Sequence, residues 1–151
     1  MATLTIKEII NAQIEEVKSL IPTLKTIAHY EGKFTPEHFE RNLTLAPFDL
    51  IFFDDDVPRD EQRIDQEFQT LRDMTFVHVV GSRSLLSREE SNDDCYTILD
   101  QLEEGLEGKR LTANGILLPA FKQGRRFWVE TTKSGLVIYQ ASYILTFNKQ
   151  Y

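Results

Sequence analysis

The residue types in this 151-residue chain most able to do chemistry are three histidines, one cysteine and a run of aspartates. A metal site needs several such ligands at short, regular spacing. His29, His38, His78 and Cys95 are dispersed along the chain and define no such set. Asp54-Asp55-Asp56 could attract a divalent cation, but the run lacks the alternation, the glycine and the terminal glutamate of an EF-hand loop. The segment Asp54, Asp55, Asp56, Asp60, Glu61, Asp65 and Glu67 reads instead as a solvated acidic loop over about residues 54–66. Gly81-Ser82-Arg83-Ser84 falls between an expected strand and an expected helix, the usual place for a nucleophile or a phosphate loop. It lacks the second glycine of a nucleophile elbow and the Lys-Ser/Thr of a P-loop. Its serines are expected to satisfy loop backbone groups. With 24 acidic residues, neighbouring carboxylates arise by chance, and none stands out as an acid–base couple. We therefore assign no catalytic residue, no metal ligand and no cofactor, and expect the chain not to be an enzyme. Ser82, His78 and the Asp54 cluster are the only residues left for the alternative, a small enzyme.

Arg125-Arg126-Phe127-Trp128 points to a different chemistry, that of an interface. Arg and Trp are enriched at binding hot spots because they bury large area and still form directed bonds. Strand alternation puts Phe127 and Val129 on one face and Arg126, Trp128 and Glu130 on the other. Trp128 could equally be core, as aromatic residues commonly are. In the last expected strand, Tyr139, Ala141, Tyr143, Leu145 and Phe147 share one face, and Leu136, Ile138 and Ile144 the other. A strand with one solvated side has one polar face. Both faces here are partly apolar, which predicts cover on both sides, from helices or from a neighbouring subunit. Arg125, Arg126, Trp128, Tyr139 and Tyr143 are the candidate interface residues.

The elements that position these residues follow from periodicity. Thr5 and Glu8 have capping-box spacing. Ile6, Ile9, Ile10, Ile14, Val17, Leu20 and Ile21 then recur at helical intervals up to Pro22. A short strand from Leu24 to Tyr30 is followed by a brief helix opening at Thr35-Pro36 and running through Asn42. Strands are expected at Phe48–Phe53 and Phe68–Gly81. A second helix opens at Ser87 and runs to about Glu107, with Cys95, Leu99, Leu102 and Leu106 as its apolar stripe and Gly108 as its stop. A three-strand meander closes the chain: Ile116–Phe121, placed at an edge by Pro119, then Arg125–Thr132 after a Gln123-Gly124 turn, then Leu136–Phe147 after Lys133-Ser134-Gly135. The expected architecture is α+β, an antiparallel or mixed sheet packed with two main helices in a single domain over residues 1–151.

Composition agrees with a globular, soluble chain: 41% hydrophobic and 27% charged residues. No apolar run approaches the roughly 20 residues that span a bilayer, and Met1-Ala2-Thr3-Leu4-Thr5 has no basic region followed by an apolar core, so no signal peptide is expected. The lone Cys95 fits a reducing cytoplasm. A net charge of −7 argues against specific nucleic-acid binding.

The order of parts resembles a known family. The amphipathic first helix, the Ala46-Pro47-Phe48-Asp49-Leu50-Ile51-Phe52 strand entry and the Phe76-Val77-His78-Val79-Val80 strand carry the likeness. So do the connection bearing Arg83 and Arg88, the helix Cys95–Leu102, the Leu106-Glu107-Gly108 exit and the closing Tyr143–Phe147 strand. Together they resemble the small tail protein of Mu-like prophages, a domain of unknown function similar in layout to the tail terminators of long-tailed phages. The acidic segment from Asp54 to Glu67 departs from that pattern. The resemblance implies a structural protein, a tail terminator or tail completion protein forming a homohexameric ring at the head-proximal end of the tail tube. Its partners would be other copies of itself, the tail tube and head-completion proteins. Its location would be the bacterial host cytoplasm during assembly and then the virion tail. A head–tail adaptor, a minor baseplate protein or a bacterial binding module are the alternatives.

Overall fold

The computed structural model describes residues 4–30, 46–64, 67–83, 88–132 and 135–150. Helix α1 (Ile6–Leu20) opens on the expected capping box. Glu8 N–H donates to Thr5 Oγ1 at 3.2 Å, and Thr5 N–H donates to the Glu8 carboxylate at 2.9 Å. Both bonds satisfy amides that the first helical turn leaves unpaired. The helix buries Ile9, Ile10, Gln13 and Val17 and ends at Ile21, just before Pro22.

Strand β1 (Thr26–His29) runs parallel to β2 (Phe48–Ile64), pairing with Phe48 to Ile51. Beyond Ile51, β2 continues against β3 (Glu67–Ser82) to the end of a long antiparallel hairpin. This corrects the expected acidic loop: residues 54–64 are strand. Asp54, Asp55 and Asp56 are exposed as expected. A run of carboxylates does not end a strand when its side chains reach water and a neighbouring strand takes its backbone hydrogen bonds. Asp55 faces Thr75 and Asp56 faces Met74 across the ladder, and Arg72 Nε bonds the Asp56 carboxylate at 2.8 Å.

Helix α2 (Arg88–Leu106) follows. The expected helix over 35–42 and the cap at Ser87 lie outside the described residues. The first strand of the expected meander is not in the main sheet. Ile116–Leu117 (β5) pairs instead with Thr112–Ala113 (β4) in a small hairpin. Asn114 and Gly115 both take positive φ at its turn, 49° and 78°. Asn-Gly is the strongest two-residue hairpin signal, and it overrides the longer apolar run that follows. Strand β6 (Lys122–Thr131) then pairs antiparallel with β7 (Val137–Gln150). Gln123-Gly124 is not a turn but lies inside β6, where the register slips between Gln123 and Arg126. A side chain on Gly124 would run into the Ser142 hydroxyl, so the bulge needs glycine there.

The main sheet has the mixed order β1-β2-β3-β7-β6. Alternation sends Ile51, Phe76, Val80, Val137, Ala141, Tyr143 and Leu145 into one core with the apolar stripes of α1 and α2. Phe48, Leu50, Val77, Val79, Leu136 and Ile138 form a second core with Tyr30 on the opposite face. Both faces of the final strand are covered over this region, and both described helices lie on the same face.

Candidate functional site

The chain's exposed aromatic surface lies where β6 runs along the edge of the sheet. Strand pairing with β7 sets its faces: Arg126 is opposite Ala141 and Trp128 opposite Tyr139, on the helix side, while Phe127 is opposite Gln140 on the other. Trp128 is 51% exposed, which removes it from the core, and its indole Nε1 donates to Thr131 Oγ1 at 3.3 Å. Phe127 is also substantially exposed, with the Arg125 guanidinium 5.0 Å from its ring centre. That stacking holds the cation by the negative face of the ring. Arg126 is tied to α2 through Asp100 at 3.0 Å and Glu103 at 3.1 Å. Tyr139 donates to Asn92 Oδ1 at 3.1 Å, and its ring meets Tyr96 edge-on at 5.4 Å. Between β6 and α2, Tyr96, Leu99, Asp100, Arg126, Phe127 and Tyr139 line an open groove of about 460 Å³.

Four of the five sequence-derived interface residues, Arg125, Arg126, Trp128 and Tyr139, are thus brought to one edge of the molecule. Tyr143 is not, and this is a correction. It is fully buried and in the helix-side core. It shares a face with Tyr139 as alternation requires, but it packs in the core, its ring edge-on to His78 at 5.2 Å.

The polar chemistry of the interior was not visible in the sequence. His78 Nδ1 lies 2.7 Å from Asp49 Oδ2, and Nε2 lies 2.8 Å from Gln13 Oε1. All three residues are fully buried. Gln13 Nε2 donates back to the Ile9 carbonyl at 3.4 Å, which turns Oε1 toward the ring and makes His78 Nε2 the donor. A proton must also lie between His78 and Asp49, since neither atom could otherwise approach the other. Asp49 Oδ1 and the Tyr143 hydroxyl have no hydrogen-bond partner among the described residues. Burial, with the Asp49 carboxylate next in weight, pushes the Tyr143 phenol up from its usual range. The only hints were Asp49 within an apolar strand and Gln13 on the buried stripe of α1.

The residues of the enzyme alternative do not assemble. His78 bonds Asp49 and Gln13, Ser82 is buried, and Asp54 stands exposed on β2. Among the described residues no group of three or more His, Cys, Asp or Glu is placed to hold a metal ion. Nor is any helix among them long and apolar enough to cross a membrane.

The chain thus has an α+β fold in which a mixed five-stranded sheet carries both described helices on one face. No family model matches it, and no curated protein sequence does. Among solved structures, the fold is similar to that of a chain in the virion of a native gene transfer agent particle. The TM-score is 0.52 at 9% identity, covering 93% of this chain and 92% of that one.

Proposed function

We propose that the chain is a structural component of a phage-like virion, and that it acts as a tail terminator or tail completion protein. The reading is carried by the likeness to a virion chain, which takes in nearly the whole length of both proteins. Support also comes from the sheet edge, where half-exposed Trp128 and exposed Phe127 and Arg125 supply the residue types that bind partners. On this reading the protein works by assembly and not by catalysis. Copies close into a homohexameric ring at the head-proximal end of the tail tube and present a surface to head-completion proteins. A ring needs one patch to meet a different patch on the next copy. Six copies at −7 each would carry −42, part of it lining the channel so that DNA passes without sticking.

Electron microscopy of particles bearing a labelled copy tests the reading. Label at the head-proximal end of the tail is the expected result. Particles that assemble fully without the protein, or a ring whose lumen is lined with Lys and Arg, would count against it.

A further inference from the structure

The stretch of β2 that β1 does not cover and the edge strand β6 carry opposite charge at the same height. Asp55 of β2 is opposite Thr75 of β3, Thr75 is opposite Ile144 of β7, and Ile144 is opposite Lys122 of β6. An acid and a base therefore sit at the two ends of one row across four strands. Exposed Asp54 adjoins Asp55 on the acidic side. On the basic side, exposed Arg125 is held close to the row by its backbone N–H, which donates to Ser142 Oγ at 2.8 Å. β1 covers the outer side of β2 only as far as Ile51, so from Phe53 to Asp56 no described strand lies there. β6 ends the sheet on the other side. Asp54, Asp55, Lys122 and Arg125 make no ion pair with any described residue.

We infer that the occupant of the β6 edge is a second copy of this chain, whose Asp54 and Asp55 meet Lys122 and Arg125 head to tail. The inference rests on the ring reading and supplies the contact for it. Charge complementarity selects the occupant: each copy holds both halves of the contact on opposite sides, so neither half can be used up within one molecule. Such an interface is heterologous and propagates from copy to copy until it closes. It is also short. Pro58 has no N–H to give, and the register of β2 breaks at Asp54 and again after Pro58, so no long backbone ladder can form. Side-chain charge must then set the partner, and the association must weaken as salt screens it.

Sedimentation velocity on four samples tests this: wild type, Asp54→Lys/Asp55→Lys, Lys122→Glu/Arg125→Glu, and an equimolar mixture of the two variants. The wild type should assemble. Each variant alone carries like charges on both edges, and its association should fall by about a hundredfold or more. The mixture should reassemble with alternating copies, which also shows that both variants fold. Variants that stay assembled alone, or a mixture that stays dissociated, overturn the inference while an assembled wild type leaves the ring reading standing. A wild type monomeric even at about 1 mM, the weak end of specific affinity, overturns it too. The ring reading is then judged separately, by the labelled particles.

Discussion

At the scale of single residues, the interior is where most stability is at stake. Asp49, His78 and Gln13 tie β2, β3 and α1 together through bonds with no access to water. Removing one partner leaves the other polar and buried, so Asp49→Leu or His78→Leu alone should cost about 3–5 kcal/mol. Replacing both should cost clearly less than the two losses added, since no charge is then stranded. Urea unfolding of the three variants measures this, and strict additivity would show that the pair is not coupled. Tyr143→Phe should behave in the opposite way. Its hydroxyl has no partner among the described residues, so stability should hold or rise by up to about 1 kcal/mol. Cys95 is inert for a related reason. Burial pushes its thiol up to about 12 from 9.0, against a lowering by the Ser82 backbone. Below pH 9 the thiol is protonated in both the folded and the unfolded chain. Between 9 and 12 only the unfolded chain ionises it, so this group's contribution to stability should decline across that window. Iodoacetamide at pH 8 should label Cys95 only as fast as the protein unfolds; rapid labelling of the native protein would contradict its burial.

Helices and strands raise a different question, whether local preference or packing decides. Gly105 lies inside α2, where alanine would ordinarily be favoured by about 1 kcal/mol. Here a Cβ would run into the Leu20 side chain of α1. Overpacking of this kind costs about 1–3 kcal/mol, so Gly105→Ala should lower the midpoint of thermal unfolding, and a rise would mean that α1 yields without cost. At the other end of α1, Thr5→Ala removes a cap and should cost about 1 kcal/mol by the same measurement. The capping box, the apolar stripe of α1 and the core of β3 were legible because each rests on short-range spacing. The hairpin at Asn114-Gly115 was legible in principle from its turn residues, but the apolar run beside it pointed elsewhere. The extension of β2 through its aspartates was not legible. Apart from Val57 and Ile64 that segment has little strand character of its own, and the partner strand is brought there by the fold.

For the whole molecule, the edge along β6 is where assembly should be read. Trp128→Ala removes a side chain that is 51% exposed, so the fold should lose no more than about 0.5 kcal/mol. Self-association should weaken by about tenfold or more if Trp128 anchors the contact. Light scattering beside thermal unfolding separates the two effects: an unchanged oligomer with a weakened fold would assign the indole to stabilising the edge strand and not to assembly.

Sequence by itself determined what depends on near neighbours: two amphipathic helices, an α+β layout, two apolar faces on the last strand, and Trp128 and Arg126 on a common face. Only the tertiary structure decided which of those faces is used. Tyr139 and Tyr143 are equivalent by alternation, yet Tyr139 borders an open groove and Tyr143 is fully buried in the core against His78. The same holds for His78, whose partners come from residues 29 and 65 positions away, and for the row that sets Asp55 and Lys122 at opposite ends of four strands. Periodicity assigns a side chain to a face, but burial, partnership and opposed edges depend on which distant segments pack there.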